Sequence, residues 1–261
     1  MEPLNAQPTV VLLRGLSREQ RHWGDFPAIL QKQLPQHQVI CLDTLGNGER
    51  FQQQSPLCIS LYCQDILNQL AKQKIENAIL VGLSLGGMVA LASLAAHSSQ
   101  VDKVSQVIAI NTSSRYSWPW QRFALLPFCK GLLSAKRYPD CSKMEHTILT
   151  LTSLLHKQDL NVLKYWSELR QQAPTSITNS LRQIIAAARF KPSIDMLVGK
   201  PVSFIYAKQD QLVNPKCTLA LAKALKAATY VIDQAGHDVA LDQPQVLANT
   251  LANIINSGNK N

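Results

Sequence analysis

The residues best suited to chemistry lie in Gly82-Leu83-Ser84-Leu85-Gly86, between the apolar run Ala78 to Val81 and an alanine-rich stretch. A serine hydroxyl is a weak nucleophile. To attack a carbonyl it must stand clear of the backbone on a sharp turn, beside a base. Glycine two positions before and after leaves room where side chains would collide with the neighbouring strand and helix. The amide of Leu85, at the start of the following helix, is placed to hold an oxyanion. His237 is the candidate base, because Gly236-His237 directly follows a strand-like run near the C-terminus. His22, His37, His97, His146 and His156 do not follow a strand at that point. Asp210, in the loop after Val202 to Tyr206, is the candidate orienting acid. Asp233, Asp238 and Asp242 compete with it. Asp233 and Asp238 sit too near His237 in sequence and read as a helix cap or solvent-facing charges. Asn111 occupies the other position, after the preceding strand, where such an acid can sit. A second oxyanion donor belongs in the loop Arg14-Gly15-Leu16-Ser17. The amide of Leu16 is the candidate, with Arg14 readable as a surface charge and Ser17 as a helix cap.

The elements that must position these groups alternate. Thr9 to Leu13, Gln38 to Leu42, Ala78 to Val81, Val104 to Ile110, Val202 to Tyr206 and Thr229 to Ile232 are short and rich in Val and Ile. Runs apolar on both faces suit parallel strands covered by helices. Glu19 to Leu34, Ser60 to Lys74, Leu85 to His97, Cys217 to Ala227 and Pro244 to Asn256 read as those helices. The fold class is therefore α/β, a mostly parallel central sheet flanked by helices. Such a sheet with a Gly-x-Ser-x-Gly turn carries its triad in the chain order Ser, Asp, His. From Thr112 to Gly199 the pattern is helical only, with helices expected near Thr147 to Leu155, Leu160 to Leu169 and Leu181 to Phe190. This reads as a cap over residues 114–199, inserted before the strand that precedes Asp210. Residues 1–113 and 200–261 form the core.

At 261 residues, 46% hydrophobic and 16% charged, the chain is long enough for a sizeable core and unlike a collagen, a coiled coil or a disordered segment. Six cysteines are spread without a C-x-x-C pair or a Cys/His ligand spacing, which argues against a zinc site or a disulfide scaffold. Reduced thiols suit the cytoplasm. Residues 1–8 lack the basic and apolar regions of a secretory signal. Asn77 to Ala96 carries no charge and has the length of a membrane span, but Gly82, Ser84, Gly86 and Gly87 divide it into a buried strand and a buried helix. The net charge of +9 is concentrated in Thr112 to Gly199, where 12 Lys and Arg face 5 Asp and Glu. Nothing resembles a recognition helix or an aromatic–basic platform, so no nucleic-acid partner is expected.

Together these residues resemble the α/β-hydrolase superfamily, and within it the small capped carboxylesterases. Besides the elbow, Asp43-Thr44-Leu45-Gly46-Asn47-Gly48 is similar to the family's Asp-x-x-Gly-x-Gly loop, and Arg14-Gly15 to Trp23 keeps its His-Gly…Trp spacing. Arg14 and Asn47 each replace a usual histidine. The resemblance implies the α/β-hydrolase fold and ester hydrolysis through an acyl-enzyme. Ser84 would be the nucleophile, His237 the base, Asp210 its orienter, and the Leu16 and Leu85 amides the oxyanion hole. It implies no metal and no organic cofactor.

Fold does not fix substrate. Tyr116, Trp118, Trp120 and Phe123 open the insertion and read either as an apolar acyl pocket, with Trp23, or as ordinary packing. The basic insertion offers Arg115, Arg122, Lys130, Lys136 and Arg137 as a docking surface for an acidic partner. Capped esterases that remove a methyl ester from a pimeloyl carrier protein have this architecture, which makes an acidic acyl carrier protein a candidate partner. A general carboxylesterase, an acyl thioesterase and a non-catalytic ligand-binding protein of the same fold remain alternatives.

Overall fold

Side chains alternate across a strand, so a sheet covered on both faces needs apolar residues at consecutive positions. Strand β1 (Thr9–Leu13) is buried along its whole length. The computed structural model describes residues 8–96, 103–124, 126 and 143–258. Six parallel strands form one sheet in the order β2-β1-β3-β4-β5-β6. They are β1, β2 (Gln38–Leu42), β3 (Ala78–Leu83), β4 (Val104–Ile110), β5 (Val202–Ala207) and β6 (Ala228–Ile232). Val11, Leu13, Leu80, Val107 and Phe204 pack on one face against helices α2 (Ile59–Lys72) and α3 (Leu85–Ala95). Val10, Leu12, Ile79, Val81 and Ile108 pack on the other against α1 (Phe26–Gln33) and the C-terminal helix Pro244–Gly258. The chain runs outward from β1 to β2, then returns to add β3 on the other side of β1. That reversal opens a crevice at the carboxyl ends of β1 and β3, the place where open parallel sheets bind ligands.

Between β4 and β5 the described elements are all helical: α4 (Pro119–Arg122), α5 (Lys143–Thr152), α6 (Leu160–Gln172), α7 (Ile177–Arg189) and α8 (Ile194–Leu197). After β5 come α9 (Pro215–Leu225), α10 (Val239–Asp242) and α11 (Pro244–Gly258). The expected helix from Glu19 to Leu34 is instead two pieces. A 3₁₀ turn over Gln20–Trp23 ends at Gly24, whose φ of 55° turns the chain, and α1 begins afresh with Pro27 in its first turn. Among the described residues no helix is long and apolar enough to cross a membrane. Ala78 to Ala96 forms β3, the turn at Ser84 and α3.

At the β3–α3 turn backbone packs on backbone. A Cβ on Gly82 would lie 2.3 Å from the backbone carbonyl of Gly86, and one on Gly86 would lie 2.3 Å from the carbonyl oxygen of Leu13. Neither neighbour is a side chain that can rotate away. Gly82→Ala is therefore expected to cost about 3 kcal/mol in chemical denaturation or to prevent folding. Unchanged stability would show that the turn has slack.

Candidate active site

Ser84 ends β3 and caps α3 with φ 58° and ψ −115°, a left-handed conformation that side chains avoid. Its backbone is held from three sides. The Ser84 amide donates to the Ile110 carbonyl at 2.8 Å. The Ser84 carbonyl accepts from the Gly87 amide at 3.0 Å and from the Thr112 hydroxyl at 2.8 Å. The Leu85 amide is the first of α3 and has no acceptor within its own helix. Across the crevice, Gly15 lies so close that a Cβ on it would meet the Ser84 Cβ at 3.1 Å. The loop carrying Leu16 thus borders Ser84.

His237 and Asp210 come together from loops 27 residues apart, with His237 Nδ1 2.7 Å from Asp210 Oδ2. Both side chains are almost fully buried. The other carboxylate oxygen of Asp210 accepts the amides of Leu212 and Val213 at 2.9 and 3.0 Å, which fixes its plane. A carboxylate only accepts, so Nδ1 carries the proton and Nε2 is the basic nitrogen. The histidine loop is tied down in turn. Asn111, at φ 47°, donates to the His237 carbonyl at 2.8 Å and accepts the Ala207 amide at 2.8 Å. It fastens the ends of β4 and β5 to the loop. Asp242 accepts the Gly236 amide at 2.7 Å, and Thr152 of α5 accepts the Asp238 amide at 2.7 Å. A Cβ on Gly236 would strike that same Thr152 carbonyl at 2.6 Å.

Asp238 stands at the N-cap of α10, but its side chain makes no capping bond and does not face solvent. It is buried and meets both terminal nitrogens of Arg14, at 3.1 and 2.6 Å. Arg14 is accordingly no surface charge: it is buried against Asp238 and lies 4.7 Å over the Trp23 ring. Burial raises the Asp238 carboxyl, but the attraction and hydrogen bonds of the Arg14 guanidinium, with Arg18 beyond it, act the other way and the group is held below its ordinary range. Asp233 stays at the surface with Lys208 and Gln209. Asn47 is fully buried and serves as a hinge of polar contacts, accepting from Thr175 at 3.0 Å and from Gln183 at 3.1 Å. Beneath it, burial pushes the Asp43 carboxyl up to about 6, while two backbone amides, of Gln20 and Glu49, donate to it.

The aromatic candidates separate. Trp23 stacks on Phe26 at 5.5 Å in the core under the sheet. Trp118 and Trp120 stack on each other at 5.0 Å and are 64% and 70% exposed, with Phe123 partly buried nearby in sequence. The structure therefore does not bring Trp23 together with them. Arg115 is exposed, whereas Arg122 turns inward to the Ala187 and Ala188 carbonyls at the end of α7. Lys130, Lys136 and Arg137 lie outside the described residues. A cavity of about 530 Å³ opens beside α2 and α3, lined by Ile59, Cys63, Leu67, Ala186 and Phe190, and none of Ser84, Asp210 and His237 lines it. Among the described residues no cluster of His, Cys, Asp and Glu has the form of a metal site.

Removing one partner of a buried ion pair strands the other, so Asp238→Asn is expected to cost about 3 to 5 kcal/mol near neutral pH. Because the folded carboxyl is depressed, this stabilisation is present above the unfolded pKa of about 3.9 and is lost as pH falls through the lower folded value. Urea titrations from pH 8 to pH 3 should show a constant gap between wild type and variant that closes only at the acid end. A gap that closes near pH 6 would contradict the assignment.

A model of the alpha/beta hydrolase family matches residues 10–250. The biotin biosynthesis bifunctional protein BioHC of Teredinibacter turnerae is 25% identical over 276 residues, covering 95% of this chain. The chain spans only 45% of that protein's length. The pimeloyl-[acyl-carrier protein] methyl ester esterase of Vibrio vulnificus is 24% identical over 249 residues, covering 94% of this chain and 92% of that protein. Among solved structures, the enol-lactonase from Burkholderia xenovorans LB400 aligns with a TM-score of 0.73 at 22% identity, over 95% of this chain and 91% of that one. At that identity the likeness speaks for the fold. The family match spans the sheet, the elbow and both loops, and the chain belongs to the alpha/beta hydrolase family.

Proposed function

We propose that the protein cleaves carboxylic esters of small or medium acyl chains through an acyl-enzyme on Ser84. The observation that carries this reading is a histidine whose Nδ1 lies 2.7 Å from a buried carboxylate, in a chain that also holds a serine in a left-handed elbow. In this mechanism the Ser84 hydroxyl attacks the acyl carbonyl while His237 Nε2 takes its proton. The oxyanion forms against the Leu16 and Leu85 amides. His237 then returns the proton to the leaving alkoxide, which departs as the alcohol. Water, activated by the same nitrogen, attacks the acyl-enzyme and releases the carboxylic acid. Asp210 accepts from Nδ1 and keeps the imidazole in its working tautomer. Residues 1–113 and 200–261 serve as the catalytic core and 114–199 as its cap.

Two observations favour a carrier-bound substrate within this class. Relatives that this chain matches over nine-tenths of its length are named for a pimeloyl-[acyl-carrier protein] methyl ester. The segment between β4 and β5 also holds most of the chain's net positive charge, which suits an acidic carrier. An acyl thioester would use the same three residues. Free thiols at Cys41, Cys58, Cys63 and Cys217 suit a cytoplasmic setting.

Hydrolysis of p-nitrophenyl esters from acetate to laurate, with a methyl-pimeloyl carrier protein and an acyl-CoA alongside, tests the reading. Wild type should turn over at least one ester, and Ser84→Ala should lower kcat by about 10⁴-fold or more. Strong preference for the carrier substrate selects the methyl ester esterase, and preference for acyl-CoA selects the thioesterase. Turnover that survives in Ser84→Ala would overturn the mechanism. A wild type that hydrolyses none of them would favour a binding role.

A further inference from the structure

The proposed oxyanion loop is held from outside the core. Ser17, next to Leu16, has φ 55°, so the loop sits in a conformation that a serine does not choose unaided. Its amide donates to Gln183 Oε1 at 2.7 Å, and its hydroxyl lies 2.9 Å from that of Ser180. Both partners stand on α7, in the segment between β4 and β5. Gln183 has no exposed surface. Its other end donates to Asn47 Oδ1 and to Ser55 Oγ, each at 3.1 Å. One buried amide side chain therefore reaches three core segments, and all of its acceptor capacity used here goes to the loop beside Ser84.

The geometry points to Gln183 as the positioning residue of the oxyanion hole: by accepting the Ser17 amide it anchors the loop one peptide beyond the Leu16 N–H, and so holds in place the segment that presents that N–H. This rests on the acyl-enzyme reading above. The physical case is that Ser17 N–H is buried and must find an acceptor. With Gln183 in place, that need is met inside the turn closed by the Arg18 amide on the Gly15 carbonyl at 3.2 Å. Without it, the loop gains by shifting to find another acceptor for the Ser17 amide, and the Leu16 amide on the adjoining peptide shifts with the loop. Helix α7 is then part of the machinery that stabilises the transition state, as well as part of the cover.

Asn179 supplies the control. It stands one turn earlier on α7 and fastens the same helix to the core, accepting the Ser55 amide at 2.9 Å and donating to the Gln53 carbonyl at 2.9 Å. It makes no hydrogen bond to the oxyanion loop among the described residues. A merely structural role for Gln183 predicts that Asn179 and Gln183 variants behave alike.

The experiment compares kcat and KM on the best ester for Gln183→Met, Gln183→Glu and Asn179→Leu, with thermal unfolding of each. Wild-type turnover that is abolished in Ser84→Ala is established first, so failure of the esterase reading appears there and separately. Losing one correctly aimed oxyanion donor is worth about 10²-fold in kcat, so Gln183→Met should lose about 10- to 100-fold with KM within about threefold. Gln183→Glu keeps an acceptor for Ser17 but gives up the donors to Asn47 and Ser55, so it should lower the unfolding temperature while kcat of the folded protein stays within about fivefold of wild type. Asn179→Leu should lower the unfolding temperature while kcat stays within about threefold. Equal loss in Gln183→Met and Gln183→Glu, or equal loss in Gln183→Met and Asn179→Leu, would overturn the proposal. Should Gln183→Met fail to fold, Gln183→Glu against Asn179→Leu still decides, because a kcat loss in Gln183→Glu beyond tenfold contradicts it.

Discussion

Backbone packs directly on backbone where β3 turns into α3, and the site is built outward from that contact. Gly82 lies against the Gly86 carbonyl, and Gly86 lies against the carbonyl of Leu13 at the end of β1. Two strands and a helix start therefore meet with no side chain between them. The closeness does two things at once. It forces Ser84 into a left-handed conformation, which costs about 1 to 3 kcal/mol. It also brings the loop after β1 to within contact of Ser84, at Gly15. The Ser84 amide and carbonyl are both bonded to β4 and its following loop, which holds the strained residue in place against relaxation.

The histidine side of the site has no such steric frame. His237 lies on a loop after an edge strand, and polar contacts do the holding. Asn111 grips its carbonyl, Asp242 its preceding amide, Thr152 its following amide, and Arg14 the next side chain. These partners come from the loop after β4, α10, α5 and the loop after β1. Each tie is buried, and an unmet buried donor or charge costs more than a formed hydrogen bond contributes. Displacing the loop would expose several such costs together. This is how a loop residue can be held to the precision that proton transfer needs.

The sequence made the strands, the elbow and the pairing of Asp210 with His237 legible for a common reason. Each depends on local pattern or on chain order: consecutive Val and Ile for a covered strand, two glycines around a serine, a carboxylate and a histidine after successive strands. Arg14 and Asp238 were not legible. A charged residue in a loop reads as exposed unless its partner is known, and these two are 224 positions apart. The break at Gly24 was missed because an apolar pattern continues across it, from Trp23 to Phe26. Helix α7 shows the limit most clearly. Its period is helical, as the pattern says, but Asn179 and Gln183 face inward while Ile177 is 80% exposed. Periodicity gives a helix and its two faces. Which face is buried was decided here by what lies beneath: Asn47, Ser55 and the Ser17 amide, all polar.

That inversion matters for how the segment between β4 and β5 can sit. A helix seated by leucines on an apolar floor keeps most of its contact energy when it slides by an ångström, because apolar contact is non-directional. A helix seated by Gln183 and Asn179 does not, since hydrogen bonds weaken steeply outside a narrow range of distance and angle. Arg18 of the same core loop adds a second directional tie, meeting Glu145 of α5 in a buried pair that Arg170 shares, with its guanidinium 4.2 Å over the Trp166 ring of α6. Burial and the Arg18 and Arg14 cations together drive the His22 pKa well below its ordinary value, so it adds no charge beside Arg18. The loop from Arg14 to Arg18 is therefore gripped by α5 and α7 at separate points. A polar seat admits one register, and a loop held in one register presents its amides in one direction.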